Sequence, residues 1–508
     1  EELGVIDIIN KQISPTKNGA KPTRDELTVG ASLLLAAIGR ACRPTSKMGW
    51  HNWAAETSLE ISLSQSLSKL DSQHFWDQMN VVSDEAIEKI ESEIVKTLVD
   101  KSGIKLDSLF FDTTNFFTFI DSMNEHCDLP QRGHNKQKRF DLRQIGMALL
   151  VSKDGQLSLF HKTYEGNKND SKTFNENFQS LATRLKTIAG DISDVTIVFD
   201  KGNNSKENFK EIDNCEGLHY VAGLVSSYFK ELIEEANKNF QTMIIDGEEI
   251  PIYRIKKEVC GKERTCVVTV SQQLKEGQIQ GIYQHLEKKY KTLNELKKQI
   301  ESSKSRRSFT SEELTERLKK IIHGQFNNEI LKFEIIKLEN PKISFTYSLD
   351  SDAFDNLKNN ILGRKIHTTN RHSWTNEEIC LAYRGQANVE FAFRNLKNPF
   401  HTAVRPQYHW TDQKIKVHFL ICVIGYLLTS YLYLKIKSVR PAQYSMNKMM
   451  EDLKTIRLTS FIEQKDGKGL PKTDYKLEKI KSELKPIADK LAIDPKKFKI
   501  KLPLVVYK

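Results

Sequence analysis

The first hundred residues have the apolar periodicity of helices. Apolar residues recur at steps of three and four through residues 26–41 and 83–103, and Gly103 follows the second run as a helix C-cap. The pattern predicts a helical N-terminal domain over residues 1–105. DNA binding and a scaffold or dimerisation role are equally compatible with it, because helical periodicity does not identify a partner.

From residue 106 the pattern changes to β-type runs, which then alternate with helices. Two runs are joined at Asp154-Gly155, a pair typical of hairpin turns. Hairpin strands followed by alternating helices and strands predict an α/β domain with a mixed sheet, and we assign residues 106–225 to its first half. The predicted elements are strands at 108–119, 143–155 and 156–167, a helix at 171–189, a strand at 194–205, a helix at 206–213 and a strand at 218–224.

Residues 226–360 break that alternation and predict an insertion into the α/β domain. They contain short β runs around a polar helical hairpin, whose arms are residues 280–302 and 310–323. Thr310 and Glu313 have the spacing of a capping box at the start of the second arm. We therefore predict a β-rich insertion that carries a helical hairpin.

The chain then returns to the α/β pattern with a strand at 363–370 and a helix after Trp374. We assign residues 361–440 to the second half of the α/β domain. The last region, 441–508, is rich in lysine and has few long apolar runs. A solvated tail or peripheral helices are the default interpretation of such a basic C-terminal region, and charge alone does not establish DNA contact.

The charge balance and the cysteines restrict the class of protein. Lys and Arg exceed Asp and Glu by 77 to 66, which gives a net charge of +11 and favours a polyanionic partner such as nucleic acid. The seven cysteines form no CxxC pair and no Cys/His cluster. This pattern is typical of reduced thiols in a cytosolic protein, not of a disulfide framework or a zinc site. No signal-peptide pattern opens the sequence, which starts at Glu1 rather than Met.

One apolar stretch, Val417 to Leu434, is close to the shortest length that spans a membrane, about 18 residues. It contains His418, Thr429 and Ser430, which are costly in a bilayer. We predict a buried core helix and no membrane partner, with a membrane anchor as the alternative.

Two aspartates interrupt strongly apolar strands. Asp112 lies in the middle of LFFDTTNFF, and Asp200 ends TIVFD directly before a Gly/Asn turn. A carboxylate in a half-buried strand is costly unless it is paired or binds a metal, and α/β folds place ligand sites at the carboxyl ends of strands. For Asp200 alone, capping of the next turn is an equally good explanation. For Asp112 capping is a weaker one, because Thr113 and Thr114 continue the strand pattern.

A helix that starts with a capping box at Thr375–Glu378 carries a third candidate carboxylate. We predict one continuous helix from there to Lys397, with a polar face opposite an apolar one. A surface ion pair between Glu390 and Arg394, worth only about 0.3–0.5 kcal/mol, would also explain part of this face. The polar residues at steps of three and four are Tyr383, Gln386, Glu390, Arg394 and Lys397.

The chain resembles the DDE-type transposases of bacterial insertion sequences that have a Y-x2-R-x3-E-x6-K signature. The resemblance lies in the segments FFDTTNFF and TIVFDKGNNS and in the run from Tyr383 to Lys397, with a β-rich insertion before that run. The resemblance covers roughly residues 106–435. It implies an RNase H-like catalytic core interrupted by the insertion. It also implies that Asp112, Asp200 and Glu390 are the catalytic metal ligands.

The resemblance further implies the reaction and its partners. Two Mg2+ ions, for which Mn2+ substitutes, support cleavage of transposon ends and their joining to target DNA. Asp112 would contact both ions, while Asp200 and Glu390 would each complete one. The implied route is cut and paste through an end hairpin, carried out by a synaptic homodimer on double-stranded DNA with terminal inverted repeats, in the bacterial cytoplasm at the nucleoid. The implied DNA-binding residues are Tyr383, Gln386, Arg394 and Lys397.

In one position the chain departs from the signature: the family's Arg falls on Gln386, and either Arg384 or Arg394 is a candidate to supply that charge. The aromatic residue that would stack a flipped base is also open between Trp374, Tyr408 and Trp410.

Two other functions are compatible with the same carboxylates. Another RNase H-like nuclease, such as a junction resolvase or a repair enzyme, would need neither the insertion nor the Tyr–Glu–Lys helix. A domesticated, non-catalytic DNA-binding protein would be expected to have lost an acidic residue, whereas all three are present.

Overall fold

The computed structural model describes residues 2–13, 27–63, 67, 70–121, 123–135, 137–302, 309–337, 343–462 and 473–493. The chain forms two compact units. The first unit combines Glu1–Val221 with Ala382–Lys508, and the second unit is Ala222–Leu381. The second unit encloses the segment that the sequence predicts as an insertion, residues 226–360.

The first unit begins with helices, as the apolar periodicity predicts. They are α1 (Val5–Gln12), α2 (Val29–Cys42), α3 (Lys47–Ala55), α4 (Leu59–Leu63), α5 (Ser72–Asn80) and α6 (Asp84–Ser102). The hydroxyls of Thr28 and Ser83 accept hydrogen bonds from backbone N–H groups at the starts of α2 and α6, groups that have no partner within a helix. α6 ends at Gly103 with φ +61°, the left-handed conformation that glycine adopts without strain.

The mixed sheet of the first unit follows. Its elements are β1 (Ser108–Phe117), β2 (Gln144–Ser152), β3 (Ser158–Glu165), α7 (Asp170–Ala189), β4 (Thr196–Phe199), α8 (Lys206–Asn214) and β5 (His219–Leu224), the last of which crosses into the second unit. The strand order is β3-β2-β1-β4-β5. β1 is antiparallel to β2 and parallel to β4, and β2 is antiparallel to β3. The predicted α/β fold class is confirmed. β4 is shorter than predicted because a 3-10 turn begins at Lys201.

The second unit contains strands and a helical hairpin. Its elements are α9 (Lys230–Asn239), β6 (Gln241–Ile245), β7 (Glu248–Val259), β8 (Lys262–Val270), α10 (Gln272–Glu301), α11 (Ser311–Ile322), α12 (Asn327–Ile330), β9 (Leu331–Lys337), β10 (Ile343–Leu349), α13 (Ser351–Asn360) and β11 (Arg364–Thr369). Strands β11-β8-β7-β6 are neighbours in that order, and β9 pairs with β10. α10 and α11 are the predicted hairpin arms, and the capping box of Thr310 and Glu313 is confirmed. Residues 303–308, between the arms, lie outside the described residues.

The remaining elements are α14 (Asn376–Arg384), α15 (Ala387–Lys397), α16 (Asp412–Lys435), α17 (Met446–Leu453), β12 (Leu458–Ile462), β13 (Thr473–Leu477) and α18 (Lys485–Lys490). α14 crosses into the first unit at Ala382. The basic C-terminal region therefore contains two short helices and an antiparallel hairpin of β12 and β13. Residues 463–472 and 494–508 of that region lie outside the described residues.

α16 is a core helix of the first unit. By length and composition it is apolar enough to cross a membrane, but 78% of its most apolar stretch is buried inside the protein. α2 packs closely against it at Gly425, where a Cβ atom would lie 2.7 Å from the carbonyl oxygen of Ala37. The packing supports the prediction of a buried helix rather than a membrane anchor.

Candidate active site

Asp112 and Asp200 lie at equivalent positions on neighbouring strands. Parallel strands β1 and β4 pair up to Phe111 and Phe199, and each aspartate is the next residue along its strand. Adjacent strands lie about 4.8 Å apart, so the backbone brings the two half-buried carboxylates together. Asp200 makes no side-chain hydrogen bond that caps the following turn. The alternative explanation, that Asp200 only caps that turn, is therefore excluded.

Side chains of alternate residues on β1 face the segment that contains α15. A Cβ atom at Gly385 would lie 2.3 Å from Cζ of Phe110, and Lys397 donates a hydrogen bond to the hydroxyl of Thr114. Successive side chains on a strand point to opposite faces, so Asp112, between Phe110 and Thr114 in this series, faces the same segment. Phe111, on the other face, packs edge-to-face against Phe174 of α7 at 4.9 Å.

The predicted continuous helix is wrong at its centre: the chain leaves α14 after Arg384, turns at Gly385 and Gln386, and enters α15. The turn packs so closely against β1 that a side chain at residue 385 would collide with Phe110. Gln386 is 9% exposed, and its Nε2 donates to the carbonyl oxygen of Phe111 at 2.9 Å. The single polar face is therefore divided, with Gln386 turned towards the sheet while Glu390 and Arg394 remain exposed. The capping box at Thr375 and Glu378 is confirmed.

Tyr383 links the helical segment to the second aspartate. Its hydroxyl donates a hydrogen bond to Oδ1 of Asp200 at 2.7 Å. Burial raises the pKa of Tyr383, and the negative charges of Asp200, Asp112 and Glu390 raise it further. The phenol therefore stays protonated as a donor at neutral pH. The charges of all three carboxylates therefore act on this one hydroxyl.

The sequence of this site matches a known family. A family model described as "Transposase DDE domain" matches residues 92–428, which is more than half of the chain. The chain belongs to the DDE transposases. No curated protein matches it. A similar solved structure is the cryo-EM structure of a piggyBac transposase synaptic complex with hairpin DNA. It shares 9% sequence identity, has a TM-score of 0.39, and the match covers 89% of this chain and 76% of that one.

DDE transposases generally use divalent metal ions, and the donor set of this transposase fits such ions chemically. Carboxylate oxygens are the protein ligands that Mg2+ prefers. Asp112 and Asp200 approach from neighbouring strands, and Glu390 from the helix that faces β1. Among the described residues, no three His, Cys, Asp or Glu side chains already lie close enough to enclose a metal ion. One oxygen of Asp200 is instead occupied by Tyr383.

The two basic residues predicted in this DDE transposase differ in their surroundings. Lys397 is half-buried, and its ammonium lies 5.3 Å from the centre of the Phe116 ring. Thr114 and Phe116, which contact Lys397, belong to the same face of β1 as Asp112. Arg394 is exposed one turn earlier on α15. Thr114 was not among the predicted site residues, although its two-residue spacing from Asp112 on a strand was a sufficient signal.

The three candidate aromatics fall in different places. Trp374 is half-buried in the second unit, 4.7 Å from the Arg371 guanidinium. Tyr408 and Trp410 are 57% and 46% exposed, and with Phe119 they line a cleft in the first unit. Phe119 was not among the predicted aromatic residues. It lies two residues beyond the end of β1, and its backbone N–H donates to the carbonyl oxygen of Gln407.

Proposed function

We propose that this transposase cleaves the ends of a DNA transposon and joins them to target DNA by two-metal-ion phosphoryl transfer. The proposed route is cut and paste through an end hairpin, and the proposed agent is a synaptic homodimer. Its substrates would be double-stranded DNA with terminal inverted repeats and the target DNA, in the cytoplasm of a bacterial host.

One observation carries the proposal: Asp112 and Asp200 follow paired positions on neighbouring parallel strands, and Tyr383, seven residues before Glu390, donates a hydrogen bond to Asp200. Asp112 and Asp200 come from adjacent parallel strands, and Glu390 from α15, more than 180 residues further along the chain. Carboxylates that converge repel one another, and a bound divalent cation would offset that repulsion. Such an arrangement is typical of a functional site.

Asp112, Asp200 and Glu390 would hold the two Mg2+ ions, for which Mn2+ would substitute. The ions, when bound, activate the attacking oxygen and stabilise the leaving one. The chain's own residues supply orientation. Tyr383 holds Oδ1 of Asp200, and Gln386 holds the backbone of β1 at Phe111, the residue before Asp112. These two hydrogen bonds fix both aspartates relative to the turn that leads into Glu390.

DNA binding in this proposal relies on the exposed side of α15 and on Lys397. Arg394 and Lys397 place two cations on the segment that carries Glu390, where a phosphate of the DNA would approach. Tyr383 is a third candidate contact. We leave Gln386 out of this set, because its amide is buried and already donates to Phe111. Arg384 and Arg394, both exposed, are the candidates for the charge that the signature arginine would supply.

The experiment that tests the proposed function is cleavage of a labelled duplex carrying the element's end, in Mg2+ or in EDTA. We expect the wild type to nick the duplex only in Mg2+, and Glu390→Gln to remove the nicking, because one metal ligand loses its charge. Glu377→Gln, which changes an exposed carboxylate on α14, is the matched control and should cleave normally. Specific binding of the end without cleavage by the wild type would contradict the enzyme and favour a domesticated DNA-binding protein.

Lys397→Met should weaken binding to transposon-end DNA and lower the slope of log affinity against log salt concentration by about 1, because one phosphate contact is lost. Fluorescence anisotropy at several salt concentrations measures this slope. Lys186→Met is the control, because Lys186 lies on α7, which packs against the opposite face of β1 from the site. An unchanged slope for Lys397→Met would mean that Lys397 only packs against Thr114 and Phe116.

A further inference from the structure

A pocket in the first unit concentrates positive charge apart from the three carboxylates. It lies between α2, the start of α3 and α16, it is partly open to solvent, and its volume of about 20 Å³ has room for one water-sized group. Its walls carry polar groups from each of these elements: Arg40, Thr45, Ser46, Lys47 and His418. The proposed catalytic reaction uses none of these residues.

Arg40 is a buried cation with neutral hydrogen-bond partners. It is 7% exposed, and its hydrogen bonds run from Nη1 to the carbonyl oxygens of Ala403 and Arg405 at 3.4 and 3.3 Å. Among the described residues, no carboxylate forms an ion pair with it. A buried charge is costly unless it is paired, and two long hydrogen bonds to neutral carbonyls compensate only part of that cost.

Lys47 adds a second cation to the same pocket. Its Nζ lies 2.6 Å from Nε2 of His409, and Nδ1 of His409 lies 2.6 Å from Oε1 of Gln407. The Gln407 oxygen can only accept, so the imidazole donates from Nδ1 and accepts at Nε2 from Lys47. Lys47 keeps two further N–H donors. Burial, followed by the charge of Arg40, lowers the pKa of Lys47 to about 7.

The other basic groups nearby are two neutral histidines and one further lysine. Burial, together with Lys47 and Arg40, lowers the pKa of His409 well below its usual value, and burial does the same for His418. Both imidazoles are therefore neutral at pH 7. Lys414 adds a further positive charge that acts on Lys47. An anion in the pocket would remove the repulsion that Arg40, Lys47 and Lys414 exert on one another.

We propose that this pocket receives one oxygen of a phosphate group, which Arg40 and Lys47 would contact. The rest of the phosphate would stay at the open side of the pocket, with the hydroxyl of Thr45 as an additional donor. A guanidinium and an ammonium in a partly enclosed pocket are the donors that recognise phosphate oxygens through charge-assisted hydrogen bonds. Two sources supply the same chemistry, a phosphate of the DNA backbone and free inorganic phosphate. The DNA-backbone source rests on the proposed function, whereas the phosphate site itself does not.

The first test is titration calorimetry of the full chain with inorganic phosphate, against chloride at the same ionic strength. We expect saturable phosphate binding by the wild type and an affinity at least about tenfold lower for Lys47→Met, because one charge-assisted contact is lost. Arg43→Met is the matched control, since Arg43 is an exposed cation four residues away. Thr45→Val is a milder second variant that should weaken binding if Lys47→Met fails to fold.

A second arm distinguishes the two sources. Inorganic phosphate is added to a fluorescent duplex bound by the wild type or by Lys47→Met. Competition in the wild type, with weaker DNA binding by the variant, would assign the site to the DNA backbone. Unchanged DNA binding by a variant that no longer binds inorganic phosphate would assign the pocket to free phosphate. No saturable phosphate binding, or equal binding by wild type, Lys47→Met and Thr45→Val, would overturn the proposal. Because phosphate titration does not depend on cleavage, failure here is distinguishable from failure of the transposase function.

Discussion

Asp112→Asn is expected to lower Mg2+-dependent cleavage of transposon-end DNA by about 10³-fold or more. Metal stabilisation of the transition state is worth several kcal/mol, and about 4 kcal/mol corresponds to that factor. In the proposed site Asp112 would help to hold both ions, whereas Asp200 and Glu390 would each help to hold one. Asparagine keeps the size of the side chain but removes its charge. Single-turnover cleavage of a labelled end duplex measures the loss.

The loss should be one of chemistry and not of folding or DNA binding. Asp112 is half-buried on β1, and the backbone pairing of that strand with β2 and β4 does not involve its carboxylate. Anisotropy with the same duplex should therefore give nearly wild-type affinity. Asp191→Asn is the matched control: Asp191 is exposed in the loop before β4, and its carboxylate accepts hydrogen bonds from Ser193. Cleavage by Asp112→Asn at the rate of this control would remove Asp112 from the active site.

The two aspartates were predictable because strand patterning is local. A charged residue at Asp112 or Asp200 conflicts with the apolar run around it, and the conflict is visible without a fold. The pairing of Phe111 with Phe199 then determines that the two residues lie side by side. The sheet was predictable for the same reason, since the hairpin of β2 and β3 is marked by its own turn at Gly155, which has φ +72°.

The break between α14 and α15 was not predictable from the same kind of evidence. A glycine inside a helical pattern costs only about 1 kcal/mol, so Gly385 alone did not contradict a continuous helix. What divides the segment is a tertiary contact, the approach of the turn to Phe110 and the hydrogen bond from Gln386 to Phe111. Helical periodicity gives the spacing of side chains but not the partner of each face.

Packing between distant segments was also invisible in the sequence. The apolar pattern of residues 1–105 predicts helices, and the helices are present, but α2 packs against α16 nearly four hundred residues later. The buried Glu91 is a similar case. It lies on α6 among the buried residues Ile87, Ile90 and Ile94, and its partners come from β3 and α7.

Glu91→Gln is expected to destabilise the first unit by about 3–5 kcal/mol, the usual cost of removing one member of a buried ion pair. Glu91 is 1% exposed. One of its oxygens lies 2.5 Å from Nδ1 of His161, and the other accepts a hydrogen bond from Arg184 at 2.9 Å. The substitution keeps the shape but leaves the guanidinium of Arg184 buried without a counter-charge.

Urea unfolding followed by tryptophan fluorescence measures this effect, because four of the five tryptophans belong to the first unit: Trp50, Trp53, Trp76 and Trp410. Glu88→Gln is the matched control. Glu88 lies one turn earlier on α6, its side chain is 51% exposed, and it pairs with Lys162. An exposed pair of this kind is worth at most about 1 kcal/mol. An equal loss of unfolding free energy in the two variants would mean that the buried network adds no more stability than a surface ion pair.

The pH dependence identifies the charge of Glu91 as the cause. Burial would raise the pKa of Glu91, but the charges and hydrogen bonds of His161 and Arg184 outweigh burial and lower it to about 2. A carboxylate whose pKa is lower in the folded state than in the unfolded state stabilises the fold at pH values above its unfolded-state pKa. That stabilisation is lost as the pH falls through its folded-state pKa. The difference in the free energy of unfolding between wild type and Glu91→Gln should thus be full at pH 6 and should shrink between about pH 4.5 and 2. A gap that stays constant over that range would show that lost packing, and not lost charge, destabilises the variant.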